Sequence, residues 1–164
     1  MLNTVLVNPY NGETLDLKGL WNVNDSTYFS GEGFDILFMT ANNDYLNIVD
    51  ANGNQVIEGV EQIQCSVGND IVILAHATIQ YGDVLIFGQS GHDIIWSNNG
   101  NDEIHGSAGN DIIDGGGGND QLYGEGDNDT IYGGSGDDSI FGGNHNDTLH
   151  GDAGNDFLYG EAGN

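Results

Sequence analysis

From Gly88 onward the chain can be cut every nine residues without an insertion. The cuts give GQSGHDIIW, SNNGNDEIH, GSAGNDIID, GGGGNDQLY, GEGDNDTIY, GGSGDDSIF, GGNHNDTLH and GDAGNDFLY, followed by the fragment GEAGN. The sixth position is always aspartate: Asp93, Asp102, Asp111, Asp120, Asp129, Asp138, Asp147 and Asp156. The eighth is always Ile or Leu. A strict short period of this kind means stacked, near-identical units that bury their apolar residues only against neighbouring units.

Positions one to six carry turn chemistry: glycine for left-handed backbone, Asn and Asp for local bonding to it. Positions seven to nine form a three-residue strand whose middle side chain faces inward while its neighbours face outward. Strand, turn, strand, turn predicts a flattened coil of two units, 18 residues per turn, with parallel rungs about 4.8 Å apart. The expected class is all-β, a right-handed parallel β-roll over 88–164 behind a degenerate β-structured cap over 1–87.

In 1–87 the period is blurred. Asp35 with Leu37, Asp44 with Leu46, Glu61 with Ile63 and Asp70 with Val72 stand at the repeat's own offset, but Asp44 and Glu61 are 17 apart. Asn52-Gly53 between them is a hairpin signal. Thr14–Leu17 and Tyr45–Val49 alternate like strands, and no stretch carries a helical period.

Charge excludes several functions. The net charge is −25 and Lys18 is the only Lys or Arg, so a nucleic acid or anionic membrane surface finds no basic partner. No apolar run suits a signal peptide or a membrane span. Cys65 is alone, which excludes an intrachain disulfide. HExxH, GxSxG, kinase and dinucleotide signatures are absent, and no enzymatic activity is expected. The end at Asn164, inside a ninth unit, reads as a piece of something longer.

The aspartates demand a cation. Residues 18 apart share one edge, and carboxylates ~5 Å apart repel by about 3 kcal/mol per pair at an effective dielectric of ~20. Calcium suits best, being a hard ion that takes six to eight oxygens in flexible geometry, where magnesium wants a stricter octahedron. Zinc prefers His and Cys, and the five His lack ligand spacing.

GGSGDDSIF, Gly133–Phe141, matches the motif GGxGxDxUx at every defined position. From Gly88 to Asn164 the chain resembles the RTX (repeats-in-toxin) family of calcium-binding nonapeptide repeats. The resemblance implies a calcium-filled parallel β-roll in a secreted or cell-surface bacterial protein, folding outside the cell and exported by a type I system. It also implies a ligand rule. One loop gives the carbonyls of positions two and four and its Asp; the loop 18 residues on gives carbonyls one and three and its own Asp.

Carried onto this chain, Gln89, Gly91 and Asp93 face Gly106, Ala108 and Asp111. Asn98, Gly100 and Asp102 face Gly115, Gly117 and Asp120. Ser107, Gly109 and Asp111 face Gly124, Gly126 and Asp129. Gly116, Gly118 and Asp120 face Gly133, Ser135 and Asp138. Glu125, Asp127 and Asp129 face Gly142, Asn144 and Asp147, and Gly134, Gly136 and Asp138 face Gly151, Ala153 and Asp156. That makes about six calcium sites, with a seventh at Gly142 lacking its second Asp. Ser97-Asn98 in place of Gly-Gly, and Asp127 and His145 in place of glycine, are expected to leave their sites in being. Asp93 is expected to serve one site only, because Ala75 stands 18 residues before it.

Position nine faces outward. On one sheet it reads His105, Tyr123, Phe141 and Tyr159; on the other Trp96, Tyr132 and His150, with Ile94 and Ile112 at position seven. Such columns either stiffen the sheets or contact another copy or a surface. The readings kept are a calcium-dependent structural module, an accessory module of a larger secreted enzyme, and an adhesion, lattice or filament component.

Overall fold

A computed structural model describes residues 62–74 and 82–163, together with the backbone of three earlier strands. Those three are β1 (Leu2–Leu6), β2 (Phe34–Phe38) and β3 (Tyr45–Asn47). Eleven strands follow, from β4 (Gln62–Gln64), β5 (Ile71–Ile73), β6 (Leu85–Phe87) and β7 (Ile94–Trp96) to β8 (Glu103–Ala108) and β9 (Ile112–Asp114). The last are β10 (Gln121–Gly126), β11 (Thr130–Tyr132), β12 (Ser139–Gly143), β13 (Thr148–His150) and β14 (Phe157–Tyr159). Among the described residues there is no helix.

From β2 onward, successive strands alternate between two parallel sheets. One runs β1-β2-β4-β6-β8-β10-β12-β14, and the other β3-β5-β7-β9-β11-β13. This is the coil that the nine-residue period predicts, a parallel β-roll. From β6 to β12 each strand inserts an aliphatic between the sheets: Ile86, Ile95, Ile104, Ile113, Leu122, Ile131 and Ile140 are all 0 % exposed, whereas Leu149 of β13 is only partly buried and Leu158 of β14 is 44 % exposed. Ile63, Cys65, Val72, Leu74 and Val84 extend the same core.

The register shows how the blurred half joins the regular one. In the first sheet Leu37 pairs with Ile63, Ile63 with Ile86, and Ile86 with Ile104, so successive turns take 26, 23 and 18 residues. In the second, Leu46 pairs with Val72 and Val72 with Ile95. The step from first sheet to second is always nine residues: Leu37 to Leu46, Ile63 to Val72, Ile86 to Ile95. From β2 to β8, the extra residues fall on the return step, between a second-sheet strand and the next first-sheet strand: 17 from Leu46 to Ile63 and 14 from Val72 to Ile86, against nine from Ile95 to Ile104. The 17-residue offset between Asp44 and Glu61 is one such wide return. Asn52-Gly53 and Thr14–Leu17 lie outside the described residues, as do residues 48 and 49; β3 and β4 belong to different sheets.

Outward residues behave as the alternation requires. Phe87, His105, Tyr123, Phe141 and Tyr159 stack in one column with ring centroids 4.6–5.2 Å apart. The expected column thus forms and gains Phe87. On the other sheet Tyr132 stacks on His150 at 4.7 Å, but Asp114 stands between Trp96 and Tyr132 in the register and interrupts the run.

Candidate metal centres

The two edges of the coil are built from the six-residue turns. Gly88, Gly106, Gly124 and Gly142 begin those on one edge; Ser97, Gly115, Gly133 and Gly151 begin those on the other. Positive φ recurs at position two (Gln89 75°, Ser107 82°, Gly116 86°, Glu125 73°, Gly134 98°) and at position four (Gly91 147°, Gly109 132°, Gly118 121°, Gly136 132°). At position four the turns stack so closely that a Cβ on Gly118 or Gly136 would strike the carbonyl of the rung before, Gly100 O or Gly118 O. Asp127 and His145 replace that glycine by shifting to φ 73° and 77°. The Asp127 N–H then donates to His145 Nδ1 at 3.3 Å.

Each position-six aspartate is buried, from Asp93 to Asp138 at 1–2 % exposure. One oxygen, Oδ1, accepts the N–H of the aspartate one rung earlier. The bonds Asp93 N to Asp111, Asp102 N to Asp120, Asp111 N to Asp129 and Asp120 N to Asp138 are all 2.8 Å. The other oxygen, Oδ2, is buried without a hydrogen-bond partner in Asp93, Asp111, Asp120, Asp129, Asp138 and Asp147. Six orphaned charged oxygens in one short coil are far more than folded proteins tolerate without a ligand.

What faces those oxygens is a cradle of backbone. A Cβ placed on Gly88 would lie 2.7 Å from Asp93 Oδ2 and 2.6 Å from Gly106 O, the carbonyl one rung later. The same pair of oxygens converges at Gly106 (Asp111 Oδ2 and Gly124 O), Gly115 (Asp120 Oδ2 and Gly133 O), Gly124 (Asp129 Oδ2 and Gly142 O) and Gly133 (Asp138 Oδ2 and Gly151 O). Position one must therefore be glycine for the pocket to stay open. At Gly142 the Asp147 oxygen lies 2.6 Å from that point.

Charging these carboxylates is costly without a cation. Burial, and then the aspartates of adjacent rungs, push Asp93, Asp120 and Asp129 up to about 7, against the backbone bond each accepts. Asp102, Asp111 and Asp138 are raised as well, burial again being the main cause. All the donors facing the cradles are hard oxygens, which fits calcium and not zinc. Among the described residues no three His, Cys, Asp or Glu side chains gather as a metal cluster; each cradle combines carboxylate with carbonyl.

Of the expected ligands, the structure brings the aspartate Oδ2 atoms and the position-one carbonyls together; the carbonyls at positions two and three are engaged in backbone bonds between rungs. Position-one carbonyls face the cradles. Position-two carbonyls also accept the position-three N–H of the next rung, as in Ser135 N to Gly116 O at 2.9 Å and Ala153 N to Gly134 O at 2.8 Å. Position-three carbonyls accept a position-four N–H, as in Gly118 N to Ser135 O at 2.8 Å.

Two features were not read from the sequence. Asp70, not Ala75, lies one rung below Asp93, and its N–H donates to Asp93 Oδ1 at 2.7 Å. The expectation that Asp93 stands at the end of its column is corrected: the turn there takes 23 residues, so counting back 18 lands on the wrong residue. Among the described repeat aspartates, Asp102 is the one with no aspartate in register below it: Val84 stands there and its N–H donates to Asp102 Oδ1 at 2.9 Å, while Asp83 beside it accepts Asn101 N–H.

The second feature is a ladder at position five. Asn119 N donates to Asn101 Oδ1, Asp137 N to Asn119 Oδ1 and Asn155 N to Asp137 Oδ1, at 2.8–2.9 Å. On the other edge Asn128 N reaches Asn110 Oδ1, and His92 Nδ1 accepts from Asn110 N. Its signal was the nearly constant Asn or Asp at position five.

Stacked turns, one aliphatic per strand and a column of buried aspartates define a parallel β-roll of nonapeptide repeats. A family model for the RTX calcium-binding nonapeptide repeat matches residues 81–104, 96–131, 105–140 and 141–164, half of the chain. The chain belongs to that family, and its repeats are of the calcium-binding kind. Comparisons with curated proteins and with solved structures returned no match.

Proposed function

We propose that this chain is a calcium-dependent folding module of a secreted or cell-surface bacterial protein, structural and without catalytic activity of its own. The observation that carries it is the set of orphaned aspartate oxygens, each held against a glycine whose missing side chain leaves room for an ion. The residues that would hold calcium are Asp93, Asp111, Asp120, Asp129, Asp138, Asp147 and Asp156, with the carbonyls of their own turns assigned above; Asp102, expected among them with Asn98 and Gly100, has its Oδ2 taken by the Ser97 hydroxyl. The division at residue 87 separates a wide-turned first part from the regular repeat.

Calcium, when bound, supplies the positive charge that stacked buried carboxylates lack. The chain supplies the rest: glycine at position one keeps the space, positions two and four turn carbonyls along the edge, and the stacked N–H groups fix each carboxylate. Because those oxygens gather only in the folded coil, ion binding and folding are one equilibrium. A chain of this kind stays unfolded where calcium is scarce and folds where it is at millimolar levels, which suits export through a channel followed by folding outside.

Circular dichroism of metal-stripped protein tests this. The β-signal of the repeat should appear with millimolar calcium and not with equal magnesium, at an affinity near the ~10⁻⁴–10⁻³ M of extracellular modules. An unchanged spectrum and thermal midpoint with and without calcium would overturn it.

A second reading rests on the outer faces. The stacked column from Phe87 to Tyr159, and the exposed Trp96 and Ile112 on the opposite sheet, offer apolar surface for self-association or attachment of an adhesin, lattice or accessory module.

A further inference from the structure

Ser97 is the one position-one residue of the repeat that is not glycine. In every complete cradle the place beside position one is empty of side chain, and the aspartate's Oδ2 is orphaned there. In the Ser97 turn both statements fail. Ser97 Oγ occupies that place and donates to Asp102 Oδ2. Asp102 is accordingly absent from the aspartates with an orphaned oxygen. Its Oδ1 is taken by Val84 N–H at 2.9 Å, so both carboxylate oxygens are satisfied by the protein itself.

The turn around it is also rebuilt. Asn98 and Gly100 lack the positive φ that positions two and four adopt in the other turns from Gln89 to Gly154. Ser97 is 1 % exposed, buried like the position-one glycines from Gly88 to Gly142, and Asn98 is tucked in at 4 %, where Gln89 and Glu125 at position two face solvent. Asn98 Oδ1 accepts the N–H of Asn99 at 2.7 Å, closing the turn on itself. Hydroxyl, backbone and turn geometry agree: the space has been filled with neutral donors in place of a cation.

We infer that the rung at 97–102 binds no calcium and is closed by the Ser97 hydroxyl instead. It is a metal-independent step in the coil, below which the column of sites on that edge does not extend. The inference rests on the calcium reading of the neighbouring cradles. The first ion on the Ser97 edge is then the one between the turns of Gly115 and Gly133, held through Asp120. The sixth site that the family rule places on Asn98, Gly100 and Asp102 does not form. Below Asp102 the column has no aspartate in register to pair, since Val84 occupies the equivalent place.

The test counts calcium per chain by equilibrium dialysis on the full-length protein. Ser97→Gly reopens the cradle and should bind one more calcium than wild type. Ser97→Ala keeps the space filled, so it should bind the wild-type number while melting at a lower temperature. Gly115→Ser builds the same closure one rung up, at a glycine whose φ is not in the left-handed region, and should bind one fewer. It keeps the question open to refutation should Ser97→Gly fail to fold. An unchanged count in Ser97→Gly or Gly115→Ser overturns the inference, and so does a lost ion in Ser97→Ala, which would make the hydroxyl a ligand. In each of those cases the calcium function stands; a wild-type chain that takes up no calcium overturns both.

Discussion

At the scale of single residues, one carboxylate in this coil does two opposed things. Asp120 destabilises the metal-free fold by burying charge, and it stabilises the loaded fold by meeting an ion. Asp120→Asn should separate the two. The amide Oδ1 can still accept Asp102 N–H, and Nδ2 would stand beside Gly133 O in the cradle. In metal-stripped protein the variant should be more stable than wild type, by about 1–3 kcal/mol for a buried group newly satisfied. In calcium it should be less stable. Thermal midpoints in both conditions check the sign change, and a loss in both would contradict it.

Protons should stand in for calcium. Asp93, Asp120 and Asp129 are raised to about 7 in the fold from an ordinary 3.8. Between those values the folded chain holds more protons than the unfolded one, so stability falls as pH rises through that window. The penalty is complete above about 7 and gone below about 4. Metal-stripped protein should gain β-structure between pH 8 and pH 5, while calcium affinity falls over the same range. Circular dichroism at the two pH values, with metal removed beforehand, decides it.

Elements form here because turns permit them. A three-residue strand has almost no independent stability; β7, β9 and β11 persist because each is tied at its start to the turn beneath. Gly118→Ala should expose that dependence. Alanine at φ 121° is strained, and its Cβ meets Gly100 O, so a cost of about 1–3 kcal/mol is expected in chemical denaturation. Asp127→Gly should be nearly neutral, because Asp127 already sits at φ 73° in a turn that has adapted to a side chain. Equal losses in the two variants would mean that position four does not govern the stacking.

The same scale shows what a sequence can and cannot disclose. Strands, sheet alternation and the inward aliphatics were legible from Gly88 on, because a period of nine leaves one way to bury one Ile per strand. In 34–87 the strand pairs Leu37–Leu46 and Ile63–Val72 were visible as nine-residue steps, but their rung partners were not. Which residue lies below Asp93 depends on a return turn whose length no local pattern fixes. Likewise Ser97 looked like a mild change of a small residue for a smaller one. Its effect appears only when Oγ is seen to occupy the space of an ion.

For the whole molecule, the outer columns and the net charge are the properties that solvent and partners meet. Five filled cradles would add ten positive charges, bringing the chain from −25 to −15, so electrophoretic mobility should fall on calcium binding. The stacked rings allow two outcomes to be told apart. With Tyr123 and Phe141 both changed to Ser, loss of self-association or adhesion with folding preserved would identify the column as a contact surface. A drop in stability with association unchanged would identify it as reinforcement, worth about 0.2–1 kcal/mol for each cross-strand pair.

The turns after Gly88 all have one length, and that has a consequence for the gene. Because each unit ends where the next begins, on a strand of the same register, recombination between repeats can add or drop codons in blocks of nine and keep the coil in step. Blocks of eighteen lengthen or shorten the coil and leave every later side chain on its original face. A single block of nine keeps the coil but sends everything downstream to the opposite sheet, so that Tyr123, Phe141 and Tyr159 would continue the line of Trp96. Two alleles differing by one repeat would thus share a core and present exchanged exteriors, a route by which such a surface can vary while its interior stays under constant constraint.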